Sequence, residues 1–363
     1  MLVNKISFLN YKNIRHAEIV CSSKMNCFFG NNGMGKTNLL DAIYYLSFCK
    51  SHIYTPEGQI ICYNEDLSVL QGEYDYNGRK EDIYCVIRRG QRKLFKRNQK
   101  AYEKLSEHIG LLPLVMVSPA DSELIRGGSE ERRRFMDVII SLYDKSYLQG
   151  LIKYNKLLLQ RNQMLRDQSR DFTLYEVLET QMGTLGKMIF EGRDHLLKSF
   201  VPFFNMYYQK ICRSAETVNL NYISQLYEGR FEEQLAANRE RDAAVGYTLT
   251  GIHRDDLEMT LNDHLIRQTG SQGQNKTYLI ALKLAQYAFL VSTGDTKPIL
   301  LLDDIFDKLD AGRVEQIVQI VGGEPFGQIF ITDTNRNNLD RIVATINQDY
   351  ALFKVEQGNV FLI

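Results

Sequence analysis

Gly30, Gly33, Gly35, Lys36 and Thr37 lie inside the stretch FFGNNGMGKTN, from Phe28 to Asn38, and include the spacing G-x-x-x-x-G-K-[ST]. Glycines in such a loop let the backbone wrap tightly. Its N–H groups, with the N-terminus of the following helix, then converge on a triphosphate. Lys36 is placed to reach the β- and γ-phosphates, and Thr37 to put its hydroxyl on a magnesium ion. The expected nucleotide-binding set is Gly30, Asn31, Asn32, Gly33, Met34, Gly35, Lys36, Thr37 and Asn38. The flanks supply the context the pattern needs: Met25 to Phe29 is an apolar strand-like run, and Leu39 to Phe48 has helical periodicity. ATP or GTP binding is the first expectation, with Mg²⁺ as its companion.

Far downstream, PILLLDDIFDKLD (Pro298 to Asp310) is an apolar strand that ends in two carboxylates, the pattern of a Walker B motif. Asp303 at the strand end suits Mg²⁺, held through water, so Thr37 and Asp303 form the metal pair. Asp304 beside it suits orienting and polarising an attacking water. Lys36, Asp303 and Asp304 are therefore the expected catalytic residues. Before this strand, Ser271, Gln272, Gly273 and Gln274 precede an amphipathic helix. Alone this is a helix cap behind a flexible glycine. In order between the two other motifs it resembles the signature of ABC-type ATPases, whose serine hydroxyl and helix N-terminus grip a γ-phosphate. The P-loop of the same subunit already occupies that nucleotide's other side, so the segment is expected to act in trans, in an ATP-dependent homodimer. Asp310 falls where that class has its D-loop, and Thr332, in QIFITDT, where it has its switch residue. No glutamine follows the strand-like run Leu112 to Val117, which leaves Ser118 or Asp121 to stand in for a Q-loop residue.

Positioning these groups takes a sizeable scaffold. A chain of 363 residues with 44% hydrophobic and 24% charged residues is long enough for two domains and shows no bias toward disorder. Its longest apolar tract, Tyr278 to Val291, is broken by Lys283 and Gln286 and is too short to span a bilayer. The N-terminus lacks an extended apolar segment of secretory type, so a cytoplasmic protein with no membrane partner is expected. Cysteines 21, 27, 49, 62, 85 and 212 never fall in a C-x-x-C spacing, which argues against zinc or redox pairs. Strand-like patterns cover Val3 to Asn10, Ile14 to Val20, Ser68 to Tyr76 and Asp82 to Arg89, with antiparallel hairpins expected over 68–100. Helical periodicity takes over from Glu130 to about Cys212, with a joint near Arg166 to Phe172, and strand patterns return at Glu258 to Leu261 and Leu265 to Gln268. The expected division is a discontinuous head, 1–118 and 247–363, interrupted by a helical arm, 119–246.

Taken together, FLNYKNI (from Phe8), GNNGMGKTNLLDAI (from Gly30), SPADSELIRGGSEERRRFMD (from Ser118), GIHRDDL (from Gly251), GSQGQ (from Gly270) and LLLDDIFDKLD (from Leu300) resemble the RecF family of SMC-like ATPases, in order and over essentially the whole chain. Lys12, Asp41, Ile252 and Phe306-Asp307-Lys308 depart from its usual residues. The resemblance implies an α/β fold: an ABC-type, SMC-like P-loop ATPase head with an inserted helical arm. It further implies slow, DNA-dependent ATP hydrolysis and dimerisation with ATP on gapped or junction DNA, with single-stranded, double-stranded and gapped DNA as partners, in DNA repair, replication and the SOS response to DNA damage. Recombinase loading with RecO and RecR belongs to the same expectation. The alternative is an ABC-type ATPase subunit of another DNA-processing or transport machine.

The net charge of zero gives the chain no overall basic footprint, yet Arg88, Arg89, Arg92, Lys93, Lys96, Arg97 and Lys100 follow one another without an acidic residue. This stretch is either a DNA-facing surface or a solvated strand edge. Arg132, Arg133 and Arg134, behind Glu130 and Glu131, read as an intramolecular salt network, and His253 as a structural hydrogen-bonder.

Overall fold

The computed structural model describes residues 1–53, 55–212, 216–307, 309–323, 325–346 and 349–363, and Lys308 lies outside them. The chain forms two compact units: Met1–Asp121 with Tyr207–Arg213 and Gln272–Ile363, and Ser122–Met206 with Ser214–Ser271.

The first unit is built on two six-stranded sheets. One runs, in spatial order, Asn359–Leu362, Tyr350–Glu356, Met25–Phe29, Ile329–Asp333, Ile299–Asp303 and Leu114–Val117, parallel except for the edge hairpin at 350–362. Its inner strands 299–303 and 329–333 are buried along their whole length, apolar until their polar C-terminal ends, as strands covered on both faces require. The other is antiparallel: Ile14–Val20, Leu2–Tyr11, Leu67–Tyr76, Arg79–Arg88, Leu94–Arg97 and Lys100–Ala101. Its long hairpin turns at Asn77-Gly78, both with positive φ, and the basic stretch lies around the next two turns, where Gly90, Asn98 and Gln99 also have positive φ. The two sheets are stitched at a bulge between Val3 and Lys5. There the buried Gln328 amide accepts from Val3 N–H at 2.7 Å and donates to Val3 O at 2.8 Å. Gln328 satisfies backbone groups that the bulge would leave open, and the Gly78 N–H in the Asn-Gly turn is taken up by Asp75 Oδ1 at 2.7 Å.

The second unit packs the helices Ser129–Tyr143 and Lys145–Arg166 with the helix Phe172–Cys212 up to Met206, as the period change and the joint near 166–172 lead one to expect. It is not wholly helical. Val218–Ile223 pairs antiparallel with Asp256–Leu261, which pairs in turn with His264–Leu265. This pairing holds 247–271 in the second unit, whereas the sequence pattern assigns them to the head. Ile266–Thr269 is a helical turn, where a strand was expected to continue to Gln268. No described helix is long and apolar enough to cross a membrane.

The core of the second unit carries a buried ion cluster. Arg161, fully buried, pairs with Glu179 at 3.1 Å and Asp242 at 2.7 Å, and donates to Thr248 Oγ1 at 2.7 Å and Leu235 O at 3.2 Å. Removing one partner of such a cluster leaves buried charges uncompensated. Arg161→Met, which keeps the volume, is expected to lower unfolding stability by about 3–5 kcal/mol. Urea denaturation followed by circular dichroism checks it, and a loss below about 1 kcal/mol would show that the cluster is not stabilising.

Candidate nucleotide site

The P-loop joins the central strand Met25–Phe29 to the helix Lys36–Phe48. Gly35 caps that helix with φ 110°, a conformation closed to side-chain-bearing residues at low cost. Lys36 is 4% exposed and arches over its own loop, donating from Nζ to Gly30 O at 2.8 Å and Asn31 O at 3.3 Å. Asn32, Gly33, Gly35, Lys36, Thr37, Asn38 and Asp304 line one pocket. The structure thus brings Asp304 and the loop together from opposite ends of the chain.

The register of the parallel sheet explains how. Asp303 lies beside Thr332 on the neighbouring strand, and the strand Met25–Phe29 lies on the far side of Thr332. Asp303 Oδ1 accepts from Thr332 Oγ1 at 2.8 Å and from Thr37 Oγ1 at 3.0 Å. Thr332 also accepts the Asp304 N–H at 3.1 Å, so one hydroxyl fixes both carboxylate-bearing residues. Burial raises the Asp303 carboxyl above its ordinary range, against the two hydroxyl bonds that favour its charged form. Asp304 is raised too, first by burial and also by Asp333 and Asp307, while Lys36 pulls it down. Its backbone sits at φ 45°, left-handed for a residue with a side chain.

Ser271 and Gln272 are exposed at the start of the 22-residue helix Gln272–Thr293. On that helix Lys276 reaches the carbonyls of Asp304, at 3.4 Å, and Asp307. Asp310 caps the helix Ala311–Gly322, accepting the Arg313 N–H at 2.9 Å. Asp121 is engaged by the Ser118 N–H at 2.7 Å and by Lys283 of the Gln272–Thr293 helix at 2.7 Å, while Ser118 Oγ meets His52 at 3.1 Å.

Sequence reasoning missed the buried Asp41, which gathers Tyr11 OH, Ser51, the His52 N–H and Lys12 Nζ, the last at 2.6 Å. Its signals were an acidic residue on an apolar helix face and the joint departure of Lys12 and Asp41 from the family's usual residues. The basic stretch also differs from a uniform patch. Arg97 forms a two-pronged pair with Glu81 at 2.6 and 2.7 Å, and Lys93 is drawn inward to Glu57, Cys49 O and Tyr45 OH. Arg89 donates to Glu65 O and Gly58 O, and Arg92 to Glu103 O. Arg132 and Arg133 are internal as well, on Asp256 and the Asp255 carbonyl.

Two six-stranded sheets, a central P-loop and a carboxylate pair on the next-but-one strand define an SMC-like P-loop ATPase head of the ABC type. A family model described as the RecF/RecN/SMC N terminal domain matches residues 2–360. The DNA replication and repair protein RecF of Parabacteroides distasonis is 66% identical over 360 residues, covering 99% of each chain. That of Bacteroides thetaiotaomicron is 55% identical, covering 99% of this chain and 98% of its own. Among solved structures, that of "the recombination mediator protein RecF-ATP in RecFOR pathway" superposes with a TM-score of 0.90 at 26% identity, covering all of this chain and 97% of the other. An Smc head domain from Pyrococcus furiosus shares the fold at a TM-score of 0.60 and 17% identity. The chain belongs to the RecF family of DNA replication and repair proteins.

His253, in the family stretch GIHRDDL, contacts Tyr154 OH at 2.9 Å and the Thr248 carbonyl at 3.0 Å, and burial holds its pKa down at about 4. The unfolded chain therefore binds a proton near pH 6.5 that the folded one refuses until about pH 4. Stability from this histidine is complete above pH 6.5 and declines as the pH falls toward 4, by about 3 kcal/mol. Urea unfolding between pH 7 and pH 4.5 should show this slope in the wild type and a shallower one in His253→Asn; equal slopes would assign the acid sensitivity elsewhere.

Proposed function

We propose that this chain is an ATP-dependent DNA-binding protein of recombinational repair and replication. It dimerises with ATP on gapped or junction DNA and helps load recombinase together with RecO and RecR, hydrolysing ATP slowly and in response to DNA. The observation that carries the reading is the hydroxyl-linked cluster Thr37, Asp303, Thr332 and Asp304 beside the P-loop pocket. The relatives' names and the RecF–ATP structure point the same way.

In this reading the P-loop amides and Lys36 hold the β- and γ-phosphates. A hydroxyl and a carboxylate oxygen 3.0 Å apart are hard oxygen donors that suit Mg²⁺, which keeps most of its ligands as water and phosphate. When bound, the ion would be held by Thr37 and Asp303 and would offset charge on the phosphates. Asp304 takes the role of orienting and deprotonating water, and its raised pKa makes it a better base than an exposed carboxylate. Thr332 keeps Asp303 and Asp304 in register. The exposed Ser271 and Gln272, with Gly273 and Gln274 behind them, are the surface offered to the γ-phosphate of a second subunit.

Complementation tests this arrangement. Ser271→Arg should bind ATP as a monomer but fail to dimerise, and Lys36→Ala should lose ATP binding. A mixture of the two should regain part of the turnover, because one composite site remains intact. Sedimentation and turnover assays read both results, and a Ser271→Arg protein that dimerises and hydrolyses normally would refute action in trans.

For DNA, the cations of the basic stretch with neither an ion pair nor a side-chain hydrogen bond within the chain among the described residues, Arg88, Lys96 and Lys100, are better candidates than Lys93 and Arg97, which are ion-paired, and Arg89 and Arg92, which hold backbone carbonyls. Replacing those three by Ser should flatten the dependence of log affinity for duplex on log salt by about 0.9 per lost phosphate contact. Filter binding across a salt series measures the slope, and an unchanged slope returns the stretch to a solvated edge.

A further inference from the structure

Two turns remote in sequence hold the P-loop from outside. Asn13, in the turn between strands Leu2–Tyr11 and Ile14–Val20, donates from Nδ2 to the Gly33 carbonyl at 3.2 Å. Its Oδ1 accepts from Asn38 Nδ2 at 2.7 Å, and a Cβ placed on Gly35 would come within 2.8 Å of the same oxygen. One residue further along the loop, the Met34 carbonyl accepts the Gly358 N–H at 3.1 Å, and Met34 Sδ accepts the Gln357 N–H at 3.3 Å. Gln357 and Gly358 turn the edge hairpin of the parallel sheet, with φ of 49° and 77°. The two turns abut: a Cβ on Gly358 would collide with the Asn13 carbonyl oxygen.

Peptide geometry converts these contacts into a statement about donors. Across a trans peptide the carbonyl and the following N–H point in opposite directions. With the Gly33 carbonyl drawn outward to Asn13, the Met34 N–H is aimed across the loop, where it reaches Asn31 O at 3.4 Å. With the Met34 carbonyl drawn to Gly358, the Gly35 N–H points away from that turn. Gly33 and Gly35, at φ 80° and 110°, would otherwise let these peptide planes rotate cheaply.

We infer that Asn13 and the Gln357-Gly358 turn form a clasp that pre-sets the phosphate-facing amides of Met34 and Gly35. Asn13 is then a positioning residue for the β- and γ-phosphates of a nucleoside triphosphate and does not touch them. This rests on the nucleotide reading above and adds to it residues outside the G-x-x-x-x-G-K-[ST] pattern. Asn13 is itself exposed, so its loss leaves the core untouched.

Calorimetric titration of ATP, and separately of inorganic pyrophosphate, into the full chain tests the clasp. Asn13→Ala should weaken both by about three- to tenfold, the loss of one or two side-chain hydrogen bonds. The melting temperature without nucleotide should stay near wild type. Gly358→Ala, strained at its φ and wedged against Asn13, should weaken binding further. Wild-type affinity in Asn13→Ala, or an affinity loss matched by a fall in the nucleotide-free melting temperature, would overturn the clasp. A wild-type chain that binds no ATP would instead overturn the nucleotide reading, and the clasp with it.

Discussion

The Asp303 carboxylate is buried, 2% exposed, at the end of an apolar strand, where an unpartnered charge would be strongly disfavoured. Two hydroxyls make it tenable, and each comes from a different part of the nucleotide machinery: Thr37 from the first turn of the P-loop helix, Thr332 from the neighbouring strand. Both bonds depend on the strand order, in which 329–333 lies between 25–29 and 299–303. A one-residue slip in either parallel pairing would turn a hydroxyl or a carboxylate to the opposite face of the sheet. The sheet register and the site chemistry are one constraint, and the apolar strands on either side serve to hold it.

Around this cluster the first unit satisfies its polar groups by local exchange. Asp41 collects four donors on the buried side of the P-loop helix, and Asp121 is paired with Lys283 on the helix that follows Ser271. Gln328 fills the bulge near Val3 and continues directly into the strand that carries Thr332. Each is a buried polar side chain with its partners in place, the condition under which such groups specify one arrangement instead of weakening the fold.

Much of this was legible in the sequence, for identifiable reasons. Gly30 to Thr37 and Leu300 to Asp304 are contiguous, and their chemistry is tied to fixed spacing, so the loop, the strand and the carboxylate pair could be read directly. The long helices showed as a change of period. What escaped were pairings between distant segments with weak patterns. VNLNYI, 218–223, alternates only over its first four residues, and nothing local says that it pairs with 256–261 and holds 247–271 in the second unit. Lys93 and Arg97 look free in a stretch without acids because Glu57 and Glu81 lie outside it. Asn13 is a lone turn asparagine until the fold sets Gly33 and Asn38 beside it.

The backbone of Asp304 bears on how any amino-acid replacement there can be interpreted. At φ 45° the residue occupies a region that Asn and Asp tolerate because their short polar side chains bond locally, and that costs other L-residues roughly 1–2 kcal/mol. Asparagine therefore changes the charge and little else. Alanine or glutamate adds a conformational penalty at the pivot of the Asp303–Asp304 corner, where Thr332 holds the amide. A defect in such a variant would mix lost proton transfer with a displaced turn, and only the asparagine variant isolates the electrostatic part.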